Sequence, residues 1–170
     1  FEYVDKDKVY HLEKGYTPLR FAQDYVGDAL SRMVSIINAP TQDKPFHKTF
    51  TVRLLGNVVG GKGVKYLNLP MDEFKQAVIA QLQDGKVVWF GSDVGKFGER
   101  EKGIWDDGCF DFETLTGLDL DLSKEDALNC WFAAMNHAMV LTGVNLDENG
   151  KPTRWKIENS WGDKNGAKGY

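Results

Sequence analysis

Two segments near the end of the sequence predict a β-hairpin. Residues 136–144 are apolar and rich in β-forming side chains, whereas residues 154–159 alternate between charged and mostly apolar side chains, which is typical of a half-buried strand. The loop between them, 145–150, ends in Asn149-Gly150, a dipeptide that favours tight hairpin turns. We therefore expect the two segments to pair as antiparallel strands.

The predicted hairpin brings a histidine and an asparagine to the same end of the strand pair. His137 starts the first strand, and Asn159 ends the second on its inward-facing side. A buried amide without a partner costs about 1–3 kcal/mol, so Asn159 needs a hydrogen bond. An amide oxygen that accepts from one imidazole nitrogen orients the ring for catalysis with a nucleophile. The alternative is an ordinary core histidine and a turn or edge asparagine.

The residues around this pair resemble a known group of peptidases. Asn159-Ser-Trp-Gly162, followed by Gly169-Tyr170, is similar to the asparagine-bearing pattern of the papain superfamily. Four segments resemble the bleomycin hydrolase family, and most closely its bacterial aminopeptidase C members: 34–40, 56–60, 89–95 and 136–144. The similarity covers nearly the whole chain.

The resemblance implies an α+β papain-like cysteine peptidase fold, in which an antiparallel, β-barrel-like domain with flanking helices carries the histidine and the asparagine. It assigns the catalytic histidine to His137 and the catalytic asparagine to Asn159, with Trp161 as the indole that shields their hydrogen bond. Residues 1–170 would form a single partial domain. The family's N-terminal half, with the nucleophilic cysteine and the oxyanion glutamine, and its C-terminal arm would lie outside this chain.

The same resemblance implies an activity for the parent protein. The family members are cysteine aminopeptidases that release N-terminal residues from peptides through an acyl-enzyme, and they assemble as homo-hexamers. This chain alone is expected to be inactive, with the missing N-terminal half and peptide substrates as its partners. A non-catalytic papain-like scaffold or binding module is the alternative.

Neither cysteine in the sequence fits the role of nucleophile. Cys109 lies in an acidic stretch, 106–113, whose charges disfavour a thiolate, and Cys130 lies on an apolar segment seven residues before His137. Neither of them is spaced from a histidine as metal ligands are.

The glycine-rich stretch 56–62 lacks the hydroxyl residue of a phosphate-binding loop and precedes a predicted strand. We therefore expect no nucleophile in this chain, no metal and no cofactor.

Composition excludes several other classes of protein. The chain is 42% hydrophobic and 27% charged, has no apolar run of membrane-spanning length, and opens without a signal peptide, which favours a cytoplasmic domain. Its net charge of −4, with scattered basic residues, makes nucleic acid an unlikely partner. The first residue is Phe1 rather than methionine, so we expect a piece of a longer protein.

Local patterns predict the remaining elements. Thr17 is expected to cap a short helix that runs to Tyr25, and Pro70 to start a longer helix that ends before Gly85. Ser123 should cap a third helix through a capping box. Strands are expected over 49–55 and 64–70, and a buried strand over 86–90. A long loop is expected over 95–121.

Overall fold

The computed structural model describes residues 1–56 and 58–170 of the chain. Asn57, which belongs to the 56–60 motif, lies outside the described residues. Contacts within the chain define two compact units, Phe1–Ser35 and Ile36–Tyr170. The assignment of residues 1–170 to a single partial domain stays a prediction.

The first unit is small and rich in aromatic side chains. It contains an antiparallel pair of strands, β1 (Glu2–Val4) and β2 (Tyr10–Leu12), followed by the short helix α1 (Pro18–Phe21). Thr17 caps α1 as predicted, because its Oγ1 accepts a hydrogen bond from the Arg20 amide at 3.2 Å. Beyond α1 the chain continues as a π-helix, Ala22–Val26, and a 3₁₀ turn, Ala29–Arg32.

A three-stranded sheet follows, in the order β3 (Ser35–Ile37), β5 (Tyr66–Asn68), β4 (Thr49–Phe50). The strand predicted over 64–70 is confirmed only for its middle residues, which form β5. The strand predicted over 49–55 is wrong beyond Phe50, where the chain leaves the sheet in a turn with a left-handed Leu54. The reason is the short partner strand, since β5 pairs only with Thr49 and Phe50 of this segment.

Asn68, at the end of β5, holds this sheet to the loop that precedes β4. Its side chain is fully buried. The amide oxygen accepts a hydrogen bond from the Ala39 N–H at 2.9 Å, and Nδ2 donates to the carbonyls of Ala39 at 2.9 Å and Lys44 at 2.6 Å. The Asn68 side chain therefore provides hydrogen-bond partners for three backbone groups that lie outside the strands.

Replacing Asn68 with alanine is expected to lower the free energy of unfolding by about 2–3 kcal/mol, because three part-buried backbone groups lose the hydrogen bonds of a fully buried side chain. Chemical denaturation of the variant and the parent chain measures this difference. Asn145→Ala is the matched control, since Asn145 is exposed and should change stability by less than about 0.5 kcal/mol. Equal stability of the two variants would contradict the bracing role of Asn68.

The longest helix of the second unit, α2 (Met71–Gln83), leads into a strand, β6 (Val88–Ser92). The helix follows Pro70 and ends before Gly85, whose φ of 74° terminates it as predicted. The strand is confirmed, but its prediction as buried is wrong. Its side chains alternate in exposure, and Trp89 is 76% exposed because one face of β6 is uncovered in this chain.

The hairpin predicted near the end of the chain is present as β9 (His137–Leu146) and β10 (Pro152–Glu158). With β6 on the other edge they form an antiparallel sheet in the order β10-β9-β6. Ser92, at the end of β6, pairs with His137. The side chains that form the core of this unit are Leu69, Val78, Ala127, Met139 and Leu141.

The hairpin turn is stabilised by one carboxylate. Asp147 Oδ1 accepts hydrogen bonds from the amides of Asn149 at 2.9 Å and Lys151 at 2.8 Å, and Gly150 adopts a φ of 77°. That left-handed conformation suits glycine, which explains why the Asn-Gly dipeptide is a reliable turn signal here.

Residues 95–121 are more ordered than the predicted loop. They contain a short antiparallel pair, β7 (Gly98–Glu99) and β8 (Ile104–Trp105), a 3₁₀ turn at Asp107–Cys109, and the helix α3 (Phe112–Thr116). The prediction of a long loop is therefore wrong for these elements. Each of them is too short to produce a periodic pattern in the sequence.

The last helix, α4 (Lys124–Asn129), delivers the chain toward His137. Ser123 caps it as predicted, with Oγ accepting a hydrogen bond from the Asp126 amide at 3.0 Å. The Asp126 carboxylate accepts from the Ser123 hydroxyl at 2.6 Å, so this capping box is closed through the side chains. Within the described residues, none of the helices is long and apolar enough to cross a membrane.

Candidate active site

His137 and Asn159 form a direct hydrogen bond. The imidazole Nε2 of His137 lies 2.8 Å from Oδ1 of Asn159. The same Oδ1 accepts a hydrogen bond from the Ser160 amide at 2.8 Å, which identifies it as an acceptor. Nε2 therefore carries the proton in this contact and donates it to Asn159, and the neutral tautomer leaves Nδ1 as an acceptor.

Asn159 lies one residue beyond β10 and faces inward as predicted. Trp155, Ile157 and Asn159 are half-buried, whereas the intervening side chains are exposed. The Asn159 amide N–H donates to the carbonyl of Gly169 at 3.1 Å, and Nδ2 donates to the sulfur of Met139 at 3.7 Å. Both ends of the side chain and its backbone are therefore held, which fixes the position of Oδ1.

Trp161 lies against the imidazole. The two rings are stacked, with centroids 5.0 Å apart and an interplanar angle of 27°. The indole is half-buried, so it covers part of the histidine ring and limits the access of water to the His137–Asn159 hydrogen bond. A hydrogen bond that is kept from competing water is electrostatically stronger.

Two further side chains surround Trp161 that the sequence analysis did not single out. The guanidinium of Arg100 lies 4.1 Å from the indole centroid, which is a favourable cation–π distance, and the ring of Trp105 lies 5.9 Å away. Both residues belong to the β7–β8 region. No sequence signal points to them, because the pairing depends on how residues 98–105 fold back toward Trp161.

His137 lies at the edge of a shallow cleft. A cavity of about 290 Å³ is lined by Met135, Asn136, His137 and Ala138. Nδ1 of His137 has no hydrogen-bond partner within residues 1–56 and 58–170. The geometry therefore offers one ring nitrogen, held in a defined orientation, to a group that enters this cleft.

The two cysteines lie elsewhere in the described structure. Cys109 is half-buried in the 3₁₀ turn that follows β8, and Cys130 is exposed at the end of α4. Neither sulfur forms a hydrogen bond with His137 in the described part of the chain, and the Cys130 thiol contacts the carbonyl of Ala127 at 3.9 Å. In the same residues, groups of three or more His, Cys, Asp or Glu side chains suitable for a metal ion are absent.

Comparison with known proteins agrees with this geometry. The profile of the Peptidase C1-like family matches residues 1–170. Aminopeptidase C of Streptococcus thermophilus is 55% identical over 170 residues, and aminopeptidase C of Lactobacillus delbrueckii subsp. lactis is 52% identical over the same length. In both comparisons the match covers 100% of this chain and 38% of the relative. The chain therefore spans well under half the length of these relatives.

A solved structure supports the same relationship. The crystal structure of pepw from Lactobacillus rhamnosis HN001 superimposes with a TM-score of 0.92 at 51% sequence identity, over 100% of this chain and 38% of that one. The predicted α+β, papain-like fold is confirmed by this similarity together with the family profile. On these grounds, the chain is a member of the Peptidase C1-like family.

Proposed function

We propose that this chain is the part of a cysteine aminopeptidase that supplies the catalytic histidine, His137, and its orienting asparagine, Asn159. The observation that carries the proposal is the 2.8 Å hydrogen bond from His137 Nε2 to Asn159 Oδ1, at a histidine that also lines a shallow cleft. This is the base-and-orienter half of a Cys-His-Asn arrangement. The nucleophilic cysteine belongs to a part of the parent protein outside these 170 residues.

The reaction requires a group that accepts and donates protons in turn, and Nδ1 of His137 is that group. In the first step the imidazole takes the proton of the cysteine thiol, and the thiolate attacks the carbonyl carbon of the scissile amide. The imidazolium then protonates the leaving amine as the carbon–nitrogen bond breaks, which leaves an acyl-enzyme. His137 next removes a proton from water, and the hydroxide displaces the thiolate to release the carboxylic acid.

Asn159 and Trp161 support these proton transfers without exchanging protons themselves. Asn159 keeps Nε2–H in a hydrogen bond, so the ring cannot turn and present the wrong nitrogen to the thiol. Trp161 covers the imidazole at 5.0 Å and limits the access of water to that bond. The orientation of the ring is thereby set before substrate arrives.

The aminopeptidase assignment rests on the relatives, which bear the name aminopeptidase C. We propose that the parent of this chain releases N-terminal residues from peptides. We also propose that the parent resembles bleomycin hydrolase and assembles as a homo-hexamer. The cytoplasmic location stays a prediction from the sequence.

The test is hydrolysis of a fluorogenic aminoacyl amide by this chain alone and by this chain mixed with the remainder of its parent protein, each with and without iodoacetamide. We expect activity only in the mixture, and its loss on alkylation of the thiol. Activity of the chain alone would show that Cys109 or Cys130 is the nucleophile. A folded but inactive mixture would favour a papain-like scaffold that acts through binding.

A further inference from the structure

The turn after β6 is built around the carboxylate of Asp93. Oδ1 accepts hydrogen bonds from the Gly95 amide at 3.0 Å and from Asn136 Nδ2 at 2.8 Å. Oδ2 accepts from Lys96 Nζ at 2.9 Å and from the Ala134 amide at 3.3 Å. Four donors therefore converge on one carboxylate whose side chain is only 17% exposed.

These donors keep Asp93 ionised. The Lys96 ammonium, followed by the Gly95 amide, lowers the pKa of the carboxyl group to about 2. A partly buried carboxylate is stabilised when its oxygens are well paired, and here each oxygen accepts two hydrogen bonds. The charge is present throughout the neutral range and holds together segments that are distant in the chain.

Asn136, the residue before His137, is locked by this turn. Its Nδ2 donates to Asp93, its Oδ1 accepts from the Val94 amide at 3.1 Å, and its backbone N–H donates to the Ser92 carbonyl at 3.1 Å. The three bonds all run from Asn136 to residues 92–94. The backbone that enters His137 can shift only if this set of bonds breaks.

A second connection reaches the imidazole from the same turn. The Val94 carbonyl accepts a hydrogen bond from Trp105 Nε1 at 3.2 Å. The Trp105 ring lies 5.9 Å from Trp161, which stacks on His137 at 5.0 Å. The turn therefore contacts the histidine through the backbone on one side and through two indoles on the other.

A turn that served only to end β6 would need fewer hydrogen bonds to its aspartate. An aspartate at the start of a tight turn commonly accepts one hydrogen bond from the amide two residues later, as Asp93 does from Gly95. The bonds to Ala134 and Asn136 cross to a segment about 40 residues away that leads directly into His137. Those bonds tie the turn to the backbone that leads into His137, which a turn at the end of β6 does not require.

We propose that Asp93 is a positioning residue for His137, holding the Asn136–His137 backbone and, through Val94 and Trp105, the indole that covers the ring. The inference rests on the proposed function, since it concerns the reaction that His137 performs. Asp93 does not touch the reacting atoms. Its loss should therefore slow the proton transfers while leaving substrate binding nearly unchanged.

The experiment is Asp93→Asn in the complete parent protein. The substitution keeps an oxygen for Gly95 and Asn136 but directs an NH₂ group at the Lys96 ammonium and the Ala134 amide. We expect kcat to fall about 10-fold with KM within about 2-fold of the parent value. The proton NMR resonance of His137 Nε2–H should shift or broaden as the ring loses its fixed orientation.

The matched control is Asp147→Asn in the turn of the β9–β10 hairpin, at the opposite end of β9 from His137. Asp147 also uses Oδ1 to accept hydrogen bonds from two backbone amides of a turn, but within the described residues its hydrogen bonds stay inside that turn. We expect this variant to keep the kcat, the KM and the Nε2–H resonance of the parent. An Asp93→Asn enzyme that matched Asp147→Asn in all three measurements would overturn the inference.

Two further variants keep the outcome decisive. If Asp93→Asn fails to fold, Lys96→Met keeps the carboxylate and removes its strongest donor, with an expected kcat about 3-fold lower and an unchanged KM; an unchanged kcat would overturn the inference. His137→Ala separates the two hypotheses. Loss of activity in His137→Ala with a normal kcat in Asp93→Asn would reject only the positioning role, whereas normal activity in His137→Ala would reject the proposed function.

Discussion

Replacing His137 with alanine in the complete parent protein is expected to lower kcat by at least about 10³-fold. The side chain performs all three proton transfers of the proposed mechanism, since it deprotonates the thiol, protonates the leaving amine and then deprotonates the attacking water. Its ring is half-buried beside an open cleft, so the truncation removes no large part of the core. Steady-state hydrolysis of an aminoacyl amide, with circular dichroism to verify the fold, measures the effect.

The chain supplies its own control for this substitution. His47 is exposed and pairs with Glu73 at 2.9 Å, and it is not part of the site. His47→Ala removes the same side chain and should leave kcat within about 2-fold of the parent value. A His137→Ala enzyme that retained near-normal turnover would show that another group carries the proton, and the assignment of His137 would be lost.

Replacing Asn159 with alanine is expected to lower kcat less severely, by about 10- to 100-fold. The imidazole keeps its chemistry in this variant but loses the acceptor for Nε2–H, so the ring samples orientations in which Nδ1 no longer faces the cleft. Loss of the Nδ2 contact with Met139 removes a second restraint, although it does not involve the ring. KM should change little, because Asn159 faces inward and is not among the residues that line the cleft.

Asn159→Asp tests orientation separately from truncation. The aspartate retains an oxygen that can accept from His137 Nε2 and from the Ser160 amide, so it should recover most of the activity that alanine loses. Asn145→Ala, at the other end of the β9–β10 hairpin, is the control for a general effect on the strand pair. Unchanged kinetics in Asn159→Ala would rule out an orienting role for this residue.

The elements that followed from sequence are those whose determinants are local. The hairpin was predictable because its turn residues and its period-two alternation lie within about 20 residues of each other. The caps of α1 and α4 followed from single hydroxyl residues, Thr17 and Ser123. The contact between His137 and Asn159 was then a geometric consequence of the hairpin.

Exposure was harder to predict than secondary structure. Strand β6 was expected to be buried because it is apolar, yet Trp89 on one of its faces is 76% exposed in this chain. An apolar sequence indicates that a segment favours burial, but it does not identify the element that packs against it. The prediction of a strand over 49–55 was wrong beyond Phe50 for a related reason, since a strand extends only as far as its partner strand does.

What the sequence by itself determined was the hairpin, the caps of α1 and α4, the limits of α2 and the pair of residues, His137 and Asn159, that the hairpin brings together. Only the tertiary structure decided what surrounds that pair: Arg100 and Trp105 around Trp161, and the carboxylate of Asp93 that holds Asn136. The physical reason is separation along the chain. Local hydrogen bonds and turn conformations are set by adjacent residues, whereas contacts across 40 or more residues depend on the packing of the whole unit.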